Sequence, residues 1–127
     1  MKKLKIGIIG CGNISSIYME NCQKFPHLEL IACADIDIDR AQLQAEKFGV
    51  PRACSVEELL SDPAIELVIN LTIPKAHASV CIQALEAGKH VYTEKPLAVT
   101  REEGKQILET AKKHNLLVGS APDTFLG

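Results

Sequence analysis

Residues 3–15 read KLKIGIIGCGNIS, and the reading of this stretch decides the fold. Leu4, Ile6, Ile8 and Ile9 form a short apolar run, interrupted by Gly7, that suits a buried strand. Gly10-Cys11-Gly12-Asn13-Ile14-Ser15 then turns the chain and opens a helix. Glycines permit the tight turn and let backbone N–H groups approach a ligand. The helix N-terminus that follows presents unpaired donors and the positive end of a dipole, which suit a pyrophosphate. The spacing is that of the dinucleotide-binding glycine loop, with Ser15 where a third glycine usually stands.

The context of the loop supports this reading. Leu28–Ala34 (LELIACA) is apolar enough for a second buried strand, and it runs into Asp35, 25 positions after Gly10. That is close to the ~20 residues expected between the loop and an acid that binds ribose. Asn13 to about Lys24 reads as a helix ended by Pro26, and Arg40–Phe48 as a second with Gly49 at its C-cap. Val50–Cys54 reads as a short third strand, and Ser55-Val56-Glu57-Glu58 as a capping box opening a short helix that stops near Asp62-Pro63. Ile65–Leu71 is a fourth strand, Thr72-Ile73-Pro74 a turn, and Lys75–Ala87 a helix closed by Gly88. Lys89–Thr93 makes a fifth strand. Thr100-Arg101-Glu102-Glu103 is a second capping box for a helix to about Asn115, and Leu116–Ala121 a sixth strand. The alternation predicts an α/β domain: a doubly wound parallel sheet of about six strands with helices on both faces. Residues 1–121 form this domain, and 122–127 start a connection out of it.

Composition narrows the function. With 127 residues the chain is one domain with a real core. A 46% hydrophobic and 24% charged balance is that of a soluble globular protein. A net charge of −2 and 4% aromatics argue against nucleic acid as a partner. Cys11, Cys22, Cys33, Cys54 and Cys81 contain no C-x-x-C pair and read as reduced, mostly buried thiols in a cytoplasmic protein, with no metal site. Ile8-Ile9-Gly10-Cys11 looks like a lipoprotein cleavage site, but the apolar stretch before it is shorter than the ~7–15 residues of a signal peptide and Lys5 interrupts it. No run approaches the ~18 apolar residues of a membrane helix, so no membrane partner is expected.

In doubly wound sheets ligands bind beyond the carboxyl ends of the strands. Those ends carry Gly10 to Ile14, Asp35, Thr72 to Pro74, and Glu94 to Pro96, four groups that would converge on one crevice. A carboxylate at Asp35 can accept both adenosine ribose hydroxyls and repel a 2′-phosphate, which favours NAD over NADP. The plainer alternative is a helix-capping aspartate, a role also open to Asp37 and Asp39, and Arg40 is a cation that could hold a 2′-phosphate. Lys95, at a strand end between Glu94 and Pro96, could exchange a proton with a substrate hydroxyl if desolvation and a nearby nicotinamide lowered its pKa; the alternative is an exposed lysine at a turn. His77 starts the fourth helix, where a histidine packs, caps or binds.

IGIIGCGNIS at 6–15, ACADID at 32–37, NLTIPKAHA at 70–78 and ALEAGKHVYTEKPLA at 84–98 together resemble the Gfo/Idh/MocA oxidoreductases, which include glucose-fructose oxidoreductase and inositol 2-dehydrogenase. The resemblance implies a Rossmann domain in which Gly10, Gly12, Asn13 and Ile14 hold the pyrophosphate. Asp35, with Ile36 beside it, takes the ribose. Thr72, Ile73, Pro74 and His77 lie near the nucleotide, and Glu94, Lys95 and Pro96 stand at the nicotinamide, with Lys95 contributing to catalysis. Ile73 departs from the family, where proline is common. Family members continue into a second α/β domain that supplies the substrate pocket and much of the oligomer interface. The resemblance therefore implies the NAD(P)-binding domain of a longer, homo-oligomeric dehydrogenase acting on a sugar, cyclitol or polyol, with little turnover from these residues alone. Two alternatives remain open: a non-catalytic NAD(P)-sensing regulator of the same fold, and a methyltransferase, against which Glu94-Lys95-Pro96 argues.

Overall fold

A computed structural model describes residues 3–12, 15–72, 74–93 and 101–120, with backbone only at 74, 75, 77 and 120. The elements are β1 (Leu4–Ile9), α1 (Ser15–Lys24), β2 (Leu28–Ala34), α2 (Ile38–Phe48), β3 (Ala53–Cys54), α3 (Val56–Ser61), β4 (Leu67–Asn70), α4 (Pro74–Glu86), β5 (His90–Thr93), α5 (Arg101–Lys113) and β6 (Val118–Ser120). The strands form a parallel sheet in the order β3-β2-β1-β4-β5-β6. The order reverses between β1 and β4. This is the doubly wound arrangement, and it opens a crevice at the carboxyl end of β1.

Alternation along the strands sends side chains into two cores. Ile6 and Ile8 pack with Met19, Cys22, Ala41 and Ala45 under α1 and α2, whereas Ile9 packs with Leu59, Cys81, Leu85, Ile107 and Ala111 under α3, α4 and α5. Gly7 interrupts the apolar run for a steric reason. A Cβ there would sit 2.9–3.0 Å from the Leu59 side chain, so its absence lets α3 settle on β1.

Local chemistry explains most boundaries. The Ser55–Glu58 capping box forms in both directions, Ser55 N–H to Glu58 Oε1 at 3.0 Å and Glu58 N–H to Ser55 Oγ at 3.1 Å. Helix α2 starts at Ile38 rather than Arg40, because Asp37 is its N-cap and accepts from the Asp39 N–H. Gly49, at φ 69°, ends it. Strands β3, β4 and β5 are shorter than the runs expected for them, although Arg52, Glu66 and Leu71 beside them still bond their neighbours, and Ala121 of the sixth run lies outside the described residues. The second capping box includes Thr100, which lies outside the described residues.

Lys89 is a feature the sequence did not announce. It is 3% exposed, and its ammonium donates to the carbonyls of Asp62 (2.6 Å) and Ile65 (2.9 Å), linking the α3–β4 loop to the start of β5. Burial pushes its pKa below the usual lysine value, partly offset by the Asp62 charge.

Candidate functional site

At the end of β1 the chain turns at Gly10 with φ 102°, a conformation that disfavours any side chain. Space forbids one too, because a Cβ would lie 2.7 Å from the Leu71 carbonyl carbon and oxygen. The Gly10 N–H donates to Ala34 O at 2.8 Å and the Leu71 N–H to Ile9 O at 2.8 Å, so the loop leaves the sheet held between β2 and β4. Gly12 differs. Among the described residues other than its chain neighbours, no atom lies within 4 Å of where its Cβ would be, so that face of the loop is open.

Asp35 follows directly on β2 and is only 9% exposed. Its Oδ1 accepts from the Cys11 N–H at 3.1 Å and its Oδ2 from the Asp37 N–H at 3.0 Å. The Arg40 guanidinium stands 3.9 Å from Oδ2 as a loose ion pair. Helix capping belongs to Asp37, which leaves Asp35 as the acid at the strand end. Each Asp35 oxygen keeps an acceptor site for a ligand hydroxyl beyond its one backbone donor.

Across the crevice, β4 ends in Asn70, fully buried. Its Oδ1 accepts from both the N–H (3.1 Å) and the hydroxyl (2.6 Å) of Thr72, and its Nδ2 donates to Cys81 Sγ at 3.1 Å. This fixes the turn that leads into α4, where Pro74 takes the first helical position, its missing N–H costing no bond there.

Gly10, Gly12, Asp35, Ile36 and Thr72 line one pocket of ≈ 180 Å³, together with Arg40, Val56, Leu71 and Ala76. The described members of three strand-end groups, Gly10 and Gly12, Asp35, and Thr72, therefore share one pocket. Ile36 is 96% exposed, so it contributes as a rim rather than a wall. Pro74 and His77 lie in the first turn of α4, where only the backbone is described. Asn13, Ile14, Ile73, Glu94, Lys95 and Pro96 lie outside the described residues. A larger hollow of ≈ 630 Å³, between α1 and β4–β6, is almost wholly apolar, lined by Ile6, Phe25, Ile69 and Tyr92, and lacks the polar groups of the crevice.

The site also uses residues that sequence reading left without a role. Asn70 entered the sequence reading only as part of the fourth strand and of the NLTIPKAHA stretch, without a role of its own. Gln44 sat unremarked on α2, but its amide donates to Ser15 Oγ (2.9 Å) and Ser16 Oγ (3.1 Å) at the start of α1. All five cysteines are buried and free. Cys11, on the loop itself, has its thiol pKa raised by a hydrogen bond with Cys33 and by burial, and burial raises those of Cys22, Cys54 and Cys81. Loop position therefore does not make Cys11 a nucleophile. Among the described residues no group of His, Cys, Asp or Glu could hold a metal ion, and no helix is long and apolar enough to cross a membrane.

The glycine turn, the acid at the end of β2 and the reversal of strand order together are the geometry of a dinucleotide site. Known proteins agree. Residues 4–121 match the model of an oxidoreductase family described by its NAD-binding Rossmann fold. The chain is 32% identical over 116 residues to a myo-inositol 2-dehydrogenase of Thermotoga maritima, covering 91% of this chain and 35% of that protein. Its fold superimposes on an NAD-binding oxidoreductase from Klebsiella pneumoniae with TM-score 0.88 at 30% identity, covering 94% of this chain and 34% of that one. A biliverdin reductase from Synechocystis, solved with biliverdin and NADP+, gives TM-score 0.85 at 31% identity over 92% of this chain and 37% of that one. The chain spans about a third of the length of the curated relatives it matches. By its sequence and its fold, the chain belongs to the Gfo/Idh/MocA oxidoreductase family, as the NAD-binding Rossmann domain.

Proposed function

We propose that this domain holds NAD in preference to NADP, and that it serves a cytoplasmic, homo-oligomeric dehydrogenase acting on the CH–OH group of a sugar, cyclitol or related polyol. The observation that carries the reading is the Asp35 carboxylate, buried at the end of β2 in one pocket with Gly10, Gly12 and Thr72. The residues present fit a dinucleotide. Gly12 leaves open space where a side chain would obstruct a phosphate, and the N-terminus of α1 favours negative charge beside it. In this reading Gly10, Gly12, Asn13 and Ile14 take the pyrophosphate, Asp35 and Ile36 the adenosine ribose, and Thr72, Ile73, Pro74 and His77 the middle of the crevice.

Glu94, Lys95 and Pro96 stand at the nicotinamide end, an assignment resting on the family resemblance of the EKP motif. Bound nicotinamide supplies hydride acceptance or donation at the substrate carbon. Lys95 takes the hydroxyl proton as the carbonyl forms, and returns it in the reverse direction, with Glu94 orienting the ammonium. Residues 1–121 form the binding domain and 122–127 lead out of it. The polyol class draws support from the Thermotoga relative, which is named for inositol. Five unpaired buried thiols suit a reducing compartment. A regulator that only senses NAD(P) would have no need of the EKP lysine that Lys95 matches.

The test uses the 127-residue chain with NAD and myo-inositol, following binding by calorimetry and turnover by NADH fluorescence. Binding without sustained NADH formation is expected. Substantial turnover would contradict the division of labour between this domain and the rest of the enzyme, and binding of S-adenosylmethionine alone would overturn the cofactor assignment.

A further inference from the structure

The position of the missing third glycine holds a polar side chain that the fold has to accommodate. Ser15 is 0% exposed at the first residue of α1. A buried hydroxyl without partners is costly, and here it has two. Its Oγ donates to the Gly12 carbonyl at 2.7 Å and accepts from the Gln44 amide at 2.9 Å. The Ser15 N–H donates to the same carbonyl at 3.0 Å. The second amide hydrogen of Gln44 serves Ser16 Oγ at 3.1 Å. The proton inventory closes in only one direction. Ser15 has a single hydroxyl hydrogen, already given to Gly12, so Gln44 must present its NH2 rather than its oxygen.

We propose that Gln44 is a positioning residue for the glycine loop, acting through Ser15. The chain of bonds runs from α2 to the loop: Gln44 orients the Ser15 hydroxyl, and Ser15 holds the Gly12 carbonyl against the start of α1 with two donors. A carbonyl oxygen turned into the helix start is turned away from an anion, which it would otherwise repel. A glycine at position 15 would let α1 approach the sheet without any such partner. Here Ser15 and Gln44 together replace that glycine. Gln44 also lines a polar hollow of ≈ 440 Å³ beside the loop with Gly12, Ser16, Arg40 and Lys47, so the clamp borders the ligand's side of the fold. The inference rests on the NAD-binding reading of this loop and adds the device that shapes it.

The test compares the 127-residue chain with Gln44→Met, Ser15→Ala and the double variant. NAD and ADP binding are read by calorimetry, and adenosine binding by amide NMR shifts. Methionine keeps the length and helix preference of glutamine, and Ser15→Ala supplies a second route if Gln44→Met folds poorly. Gln44→Met is expected to weaken NAD and ADP binding about three- to tenfold, the loss from one or two neutral hydrogen bonds. Adenosine, which lacks phosphates, should change less than about twofold by the same reasoning. In the Ser15→Ala background Gln44→Met should cost no further NAD or ADP affinity, because the hydroxyl through which Gln44 acts on the loop is gone and its bond to Ser16 does not reach Gly12. Unchanged NAD binding in Gln44→Met, equal losses for adenosine and ADP, or losses that multiply in the double variant would each overturn the proposal. Failure of the unmodified chain to bind NAD or ADP at all would instead overturn the cofactor reading beneath it.

Discussion

The backbone N–H of Cys11 donates to Oδ1 of Asp35 over 3.1 Å, joining the middle of the glycine loop to the acid that ends β2. One carboxylate therefore both shapes the loop and lines the pocket beside it. Asp35→Ala should lower stability by about 1–3 kcal/mol, because it leaves the buried Cys11 N–H without its acceptor. Urea denaturation would measure this loss, and calorimetry should show NAD binding weakened in the same variant. Loss of binding with unchanged stability would mean that the Cys11 contact contributes nothing to the loop.

The two loop glycines should separate folding from binding. Gly10→Ala places a methyl 2.7 Å from Leu71 backbone atoms at φ 102°, so it should destabilise the fold by about 1–3 kcal/mol. Gly12→Ala meets nothing within 4 Å among the described residues beyond its chain neighbours, and its stability should stay within about 0.5 kcal/mol of the parent. Its NAD affinity should nevertheless fall about tenfold or more, ~1.4 kcal/mol, because the methyl occupies the ligand's approach to the loop. Thermal melts and calorimetry on the pair check this contrast. A Gly12→Ala protein that binds NAD normally would place the dinucleotide elsewhere.

Much of this was legible in the sequence, for identifiable reasons. The strand–helix alternation was carried by apolar runs of the right length, and the ends of α2 and α3 by Gly49 and the Ser55–Glu58 box, all local signals. The shared pocket of Gly10, Gly12, Asp35 and Thr72 was legible because these residues follow strand ends, which chain order alone places. Long-range pairings were not legible. Asp35 and Cys11 are 24 positions apart, Gln44 and Ser15 29, and only the fold brings them together. Gly7 seemed merely to interrupt a strand until Leu59 was found above it, and Lys89 was only the first residue of a strand until two carbonyls enclosed it.

Alkaline pH should weaken the fold through its buried thiols. Burial raises the Cys22 pKa above 9.0, so the folded chain keeps a proton that the unfolded chain releases. The stabilisation is fully present below pH 9.0 and is lost as pH rises through the folded value, at up to ~1.4 kcal/mol per pH unit. Lys89 works the other way, since its lowered pKa adds stability as pH rises toward 10.5, but that contribution cancels between variants. The stability advantage of the parent over Cys22→Ala should therefore shrink as pH rises above 9.0 in denaturant titrations. An advantage independent of pH would show that Cys22 ionises alike in both states.

Parallel calorimetric titrations of the 127-residue chain with NAD and NADP decide whether Asp35 reads the adenosine ribose. The buried Asp35 carboxylate should make NAD bind about tenfold or more tightly than NADP, ~1.4 kcal/mol, and Asp35→Asn, which removes the charge while keeping an oxygen for Cys11, should narrow that gap. Equal or tighter binding of NADP would contradict the claim, and would point to Arg40, 3.9 Å from the carboxylate, as the group that reads the cofactor.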